Sequence, residues 1–151
     1  MKYYLAYGSN LNVEQMKYRC PKAIPVGRFE LKDYELLFKG SKSGSYLTVE
    51  KHKGKVVPIG VWKVDDSDEL SLDRYEGYPS FYYKKELEIE FTSFRGLKVH
   101  SKAFIYIMHE ERTIGIPSKA YVQTCLEGYR NFGFDIKHLE DALKISFKEV
   151  K

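Results

Sequence analysis

An apolar run over residues 3–7 opens the chain and breaks at once into Gly8-Ser9-Asn10. A run of that kind predicts a buried strand. Asn12 then offers a helix N-cap, and Gln15 stands at capping-box spacing behind it, so a helix is predicted over residues 13–19. Cys20-Pro21 stops it. Short strand-like runs recur at residues 23–29, 34–39, 46–50 and 56–64. The segment Gly-Ser-Lys-Ser-Gly at 40–44 reads as a loop. The basic cluster Lys51, His52, Lys53 and Lys55 around Gly54 reads as a hairpin tip.

Past residue 64 the period changes from two to that of a helix. Asp66 can cap a short helix with Glu69 at the third position, and Gly77 followed by Pro79 stops it. Two longer strands are predicted over residues 82–91 and 99–108, with Arg95-Gly96 in the turn between them. In the first of these Leu87, Ile89 and Phe91 alternate with Glu86, Glu88 and Glu90, the signature of a half-buried strand. Pro117-Ser118 opens a helix in which Tyr121, Cys125 and Tyr129 share a face, and Gly133 ends it. Asp135 caps a last helix carrying Ile136, Leu139 and Leu143. Strands outnumber helices and cluster in the middle, which predicts an α+β fold with a mainly antiparallel, closed sheet.

Composition narrows the class. A length of 151 residues and 43% hydrophobic content suit one folded domain over residues 1–151. No internal repeat or linker divides the chain. Met1-Lys2 runs straight into strand sequence without a signal-peptide pattern, and no apolar stretch approaches the ~18 residues that span a bilayer. Cys20 and Cys125 are far apart and in no metal or redox spacing, so they read as reduced, buried thiols of a cytoplasmic protein. The four histidines have no ligand spacing, so neither a metal nor another cofactor is expected. Net charge is +4, from 25 basic and 21 acidic residues, and the charges are interleaved. Thirteen tyrosines beside a basic balance raise the question of nucleic-acid stacking. They fall inside strand and helix patterns, no basic face forms, and neither nucleic acid nor membrane is expected as a partner. The mild positive balance favours an anionic small molecule.

Two segments carry candidate chemistry. Tyr7-Gly8-Ser9-Asn10-Leu11 is a glycine turn between a strand and a helix start. It is either a plain connection or a place where backbone N–H groups meet a carboxylate or phosphate. Glu76 ends the helix before Gly77. A carboxylate there faces the negative end of the helix dipole, either as a tolerated surface charge or as a residue placed against local preference for function.

Together the two segments resemble the γ-glutamylcyclotransferase-like family, with its γ-glutamylamine cyclotransferase relatives. The matching stretches are AYGSNLNVEQMKYRCPKA at 6–23, VVPIGVWKV at 56–64, LSLDRYEGYPSFYYKK at 70–85 and IPSKAYVQTCLEGYRNFGF at 116–134. They fall in the family's order and cover most of the chain. The resemblance implies a small mixed β-barrel with helices packed outside and a cavity at one end. It implies a small-molecule γ-glutamyl substrate, closed on itself to 5-oxoproline with release of an amine or amino acid. Glu76 matches the family's catalytic acid/base. Tyr7, Gly8, Ser9, Asn10 and Leu11 match its substrate-holding loop. Tyr82 matches a family tyrosine, and it and Tyr121 either line the pocket or pack with satisfied hydroxyls. Other expectations on the same fold are a cyclotransferase dedicated to a γ-glutamyl-acylated secondary metabolite and a non-catalytic binding module.

Overall fold

The computed structural model describes residues 1–41 and 44–150. In chain order its elements are β1 (Lys2–Ala6), a 3₁₀ turn (Ser9–Leu11), α1 (Val13–Arg19), β2 (Ile24–Ser41), β3 (Gly44–Val64), α2 (Asp66–Glu76), β4 (Tyr82–Ser93), β5 (Lys98–Met108), β6 (Thr113–Ile114), α3 (Lys119–Phe132) and α4 (Lys137–Glu149). The strands pair in the order β3-β1-β5-β4-β2, and β2 returns onto β3. Five strands therefore close a barrel. Its one parallel contact joins β1 to β5 through Tyr3↔Ala103 and Tyr4↔Phe104. The remaining pairs are antiparallel, and β6 adds to β2 at Lys39↔Ile114. This is the closed, mainly antiparallel sheet that the strand pattern predicts and the mixed barrel with outer helices that the resemblance implies.

Inward positions of every barrel strand feed one apolar cluster, in which Leu5, Val57, Ile59, Val61, Ile105 and Met108 are fully buried. In β4, Ile89 and Phe91 are buried while Glu86, Glu88 and Glu90 are exposed, as the alternation predicts. Each fully buried aliphatic side chain contributes ~1.5–3 kcal/mol of transfer free energy.

Several boundaries differ from expectation, each for a physical reason. The four short runs between residues 23 and 64 are two long strands. Irregularities at Pro25/Gly27 and Lys32/Tyr34 let β2 bend while its pairing with β3 continues. The basic cluster is not a hairpin tip. It lies within β3, where the residues between Lys51 and Val56 swell out opposite the single residue Asp33. Asp33 takes φ 64°, and its Oδ1 accepts from the Gly54 N–H at 2.9 Å. In the predicted 40–44 loop, Gly40 and Ser41 belong to β2 and Gly44 to β3; Lys42 and Ser43 lie outside the described residues. Asp65, not Asp66, caps α2, because its side chain and that of Asp68 bond each other's backbone N–H reciprocally. Ile136 occupies the N-cap position of α4, and Asp135 Oδ1 accepts from the Lys137 N–H instead. Gly133 closes α3 in the left-handed region as expected.

Candidate active site

The parallel β1–β5 pair fixes where the candidate residues meet. β1 and β5 finish, and β4 begins, at the same end of the barrel. Tyr7 and the 3₁₀ turn leave β1 there, Tyr106 lies near the end of β5, and Tyr82 opens β4. Leu47 of β3 completes the wall, and α2 brings Glu76 across the opening. Tyr4, Tyr7, Gly8, Ser9, Asn10, Leu47, Glu76, Tyr82, Tyr106 and Tyr121 enclose a chamber of about 20 Å³, room for about one water-sized group. Ser9, Glu76, Tyr82 and Tyr121 also line a cleft of about 540 Å³ outside it, with Tyr46, Tyr75 and Phe81.

The 3₁₀ turn is the first positioning device. It consumes the N–H groups of Leu11 and Asn12, which bond the carbonyls of Gly8 and Ser9 at 3.0 Å. The N–H groups ahead of them, on Ser9 and Asn10, have no partner among the described residues. At the start of α1, Asn12 Oδ1 accepts from Gln15 N–H and Val13 N–H donates to Asn131 Oδ1, so the unpaired N–H groups of the turn lie beside a partly capped helix end. Gln15 does not return to the cap, since its side chain takes Arg19.

The turn is clamped on both sides by missing side chains. A Cβ at Gly128 of α3 would lie 2.6 Å from the Asn12 nitrogen, and one at Gly60 of β3 would lie 2.5 Å from Leu11 Cδ2. Gly8 is set less tightly, with its Cβ position 3.2 Å from the Tyr121 hydroxyl. Ser9, Asn10 and Leu11 are all buried.

Glu76 is the last residue of α2, with Gly77 behind it in the left-handed C-cap conformation. Its half-buried carboxylate accepts one hydrogen bond, from Asn10 Nδ2 at 3.4 Å. Burial in the chamber wall pushes its pKa up to about 8, against a smaller downward pull from Arg19. The helix C-terminus acts in the same direction as burial. Asn10 is held in turn: Arg19 NH1 donates to Asn10 Oδ1 at 2.9 Å, and Asn10 Nδ2 donates to Tyr4 Oη at 2.9 Å. The Arg19 guanidinium lies 3.6 Å over the Tyr75 ring, and the Tyr75 hydroxyl shares a 2.9 Å hydrogen bond with Ser9 Oγ.

The sequence left two readings for Tyr82 and Tyr121, and the structure puts both on the chamber wall with hydrogen-bonded hydroxyls. Tyr82 donates to the Leu47 carbonyl at 2.7 Å, and Tyr121 accepts from the Leu47 N–H at 3.0 Å. Tyr7 donates to the Tyr106 carbonyl at 2.7 Å. Burial holds the hydroxyls of Tyr4, Tyr7, Tyr82 and Tyr121 far above the usual phenol range, so all stay protonated at neutral pH. Sequence reasoning missed Tyr4, Arg19, Leu47, Tyr75 and Tyr106. Only Arg19 carried a local signal, being four residues after Gln15 and near Asn10. Cys20 and Cys125 are buried free thiols with pKa pushed up to about 12, which leaves them inert as nucleophiles. No helix among the described residues is long and apolar enough to cross a membrane.

Comparison with known proteins agrees with this geometry. The mouse γ-glutamylcyclotransferase is 28% identical over 155 residues, covering 98% of this chain and 80% of its own. The human γ-glutamylcyclotransferase is 28% identical over 144 residues, covering 91% of this chain and 74% of its own. A solved structure of a γ-glutamyl cyclotransferase superposes with a TM-score of 0.76 at 26% identity, over 93% of this chain and 85% of that one. Residues 4–123, which include the turn, Glu76 and every tyrosine of the chamber, match the family described as γ-glutamyl cyclotransferase, AIG2-like, and the chain belongs to that family.

Proposed function

We propose that the protein closes the γ-glutamyl group of a small γ-glutamyl compound to 5-oxoproline and releases a free amine or amino acid. The observation that carries this reading is Glu76, a carboxylate with pKa near 8 at the meeting point of a donor-rich turn and an open cleft.

In such a substrate the nucleophile is the α-amine, already tethered to the carbonyl it attacks, so proximity is largely built into the molecule. Three tasks fall to the protein. The amine arrives as an ammonium, with a pKa of about 8. A glutamate at its ordinary value of about 4.3 would be a poor base for it. Raised to about 8, Glu76 matches it, takes its proton and holds that proton for the departing nitrogen. The free N–H groups of Ser9 and Asn10 offer donors to the substrate's α-carboxylate and γ-carbonyl oxygen. Gly8 lets the backbone come close, and Tyr7, Leu11, Tyr82 and Tyr121 shape the wall. The outer cleft, of about 540 Å³, takes the bulk of the substrate, and the chamber behind it has room for a single small group such as the carbonyl oxygen. No step calls on a metal ion, so turnover is expected to persist through exhaustive chelation; loss with EDTA and rescue by a divalent ion would overturn that part of the mechanism.

Glu76→Gln tests the assignment. It keeps the shape and the acceptor for Asn10 but cannot take a proton. Release of 5-oxoproline from γ-glutamyl amino acids and γ-glutamyl amines is expected to fall by ~10²–10⁴ in a protein that still melts cooperatively. An active Glu76→Gln protein removes Glu76 from the chemistry. A wild-type protein that binds these compounds without turnover makes the fold a binding module.

A further inference from the structure

Five tyrosines wall the chamber, and their hydroxyl protons can be accounted for one at a time. Tyr7 donates to the Tyr106 carbonyl, Tyr82 donates to the Leu47 carbonyl, and Tyr106 donates to Asp73 Oδ1. Those three protons are committed to fixed acceptors in the wall. Tyr4 and Tyr121 are different. Each accepts a hydrogen bond, Tyr4 from Asn10 Nδ2 and Tyr121 from the Leu47 N–H; Tyr121 has the Cys125 sulfur to receive its proton, whereas Tyr4 donates to no acceptor among the described residues. A buried hydroxyl whose oxygen already faces a donor must turn its own proton elsewhere, and leaving it unpaired is costly.

For Tyr4 the direction of that proton is set by a chain of contacts. Arg19 has no acceptor to offer, so the Asn10 atom facing it is the oxygen. The Asn10 nitrogen is thereby turned toward both Tyr4 Oη and Glu76 Oε1. Tyr4 and Glu76 thus share one NH₂ group and face the same chamber. The Tyr4 ring is rigid. It is 4% exposed, stacks on Phe104 at 5.4 Å and meets Tyr106 edge-on at 5.8 Å. Its strand is paired on both sides, with Trp62 and Phe104 opposite it.

We propose that Tyr4 is a further catalytic residue, the side-chain hydrogen-bond donor to the γ-carbonyl oxygen as that oxygen becomes an oxyanion. This rests on the cyclisation reading above. The α-nitrogen forms a bond to the carbon of the γ-glutamyl carbonyl, closing a five-membered ring, and the carbonyl π pair moves onto oxygen, where the Tyr4 O–H meets it without giving up its proton. When the pair returns, the carbon–nitrogen bond to the leaving group breaks, that nitrogen takes the proton held by Glu76, and the ring nitrogen gives its surplus proton to the carboxylate so freed, which later releases it to water. The α-nitrogen and the leaving nitrogen are both attached to the former carbonyl carbon in the tetrahedral species. The group that shares Asn10 with Glu76 is therefore the one beside that carbon. A rigid, water-excluded donor of this kind acts mainly on the transition state.

The test is steady-state release of 5-oxoproline by wild type and Tyr4→Phe, on the best substrate of a γ-glutamyl panel, with thermal melts of both. Phenylalanine keeps the packing against Phe104 and removes only the hydroxyl. The expected result is a fall in kcat of ~10²–10³ with KM changed less than about threefold and a cooperative melt retained. Unchanged kcat overturns the proposal, as does a raised KM at constant kcat, which would make Tyr4 a ground-state binding contact. If Tyr4→Phe does not fold, 3-fluorotyrosine at position 4 supplies a more acidic donor in nearly the same envelope. A kcat that moves at constant KM then supports the role, and one that does not move overturns it. Failure of the wild type on every γ-glutamyl compound is a separate outcome, and it strikes the cyclisation reading on which the proposal stands.

Discussion

Between Arg19 and Glu76 stands the amide of Asn10, and this arrangement makes a charge outside the chamber a tuning device for the carboxylate inside it. Burial raises Glu76, while Arg19 lowers it and orients the amide that touches it. Arg19→Gln removes the charge, so Glu76 rises further. In the proposed mechanism Glu76 must be ionised to act, so the alkaline-going limb of kcat/KM is expected to move up by about 1 pH unit, with activity at pH 7 falling about tenfold. Arg19→Lys keeps the charge and is expected to return most of the limb to its place. A limb that stays put in Arg19→Gln would disconnect the arginine from the base. Glu76 and the Tyr7–Leu11 turn stood out in the sequence through a carboxylate against a helix C-terminus and a glycine between strand and helix, but those local signals left a plain reading open for each, and only the two segments together carried the family resemblance that picked them out. Tyr4 was not legible there. Within its strand it reads as one more apolar position, and only the register of β1 against β5 and the return of Asn10 bring its hydroxyl to Glu76.

Elements show the same division between local and distant causes. The ends of α3, with Ser118 at one end and Gly133 at the other, follow from capping chemistry that the sequence displays. The union of four short runs into β2 and β3 does not, because Asp33 and the Lys51–Val56 excursion look like turns and are absorbed as irregularities by a long antiparallel pair. The 3₁₀ turn depends on a third kind of information, the room left by its neighbours. Gly128 sits inside α3, where alanine is the better helix former by about 1 kcal/mol. Gly128→Ala is nevertheless expected to destabilise the protein, by about 1–3 kcal/mol, because its Cβ would meet Asn12 and Leu11 backbone atoms at 2.6–2.7 Å. The turn, not the helix, must move, so turnover should fall at least as steeply as stability. The measurement is a denaturant titration beside 5-oxoproline release. A more stable and fully active Gly128→Ala would show that the clamp on the turn is unimportant.

On the scale of the whole molecule, the barrel closes its core with apolar side chains and holds the buried Ser9 and Asn10 at the end where Glu76 lies. That placement has a consequence for folding stability. Glu76 holds its proton in the folded protein up to about pH 8, whereas in the unfolded chain it loses it near pH 4.3. Between those values the folded state binds more protons than the unfolded one, so stability falls as pH rises through that window and levels off above it. The contribution is complete below the unfolded pKa and gone above the folded one. Glu76→Gln has no proton to lose and carries no such slope. Its stability is therefore expected to match the wild type near pH 4.5 and to exceed it at pH 9 by several kcal/mol, at about 1.4 kcal/mol for each pH unit of the window. Other titrating groups are common to both proteins and cancel in the difference. The experiment is paired thermal melts across pH 4.5–9. A difference that grows with pH, in a variant that has lost turnover, places the carboxylate's instability and its catalytic use in the same atom pair. A flat difference would mean that Glu76 ionises freely in the folded protein, and the base matched to the substrate's ammonium would be lost with it.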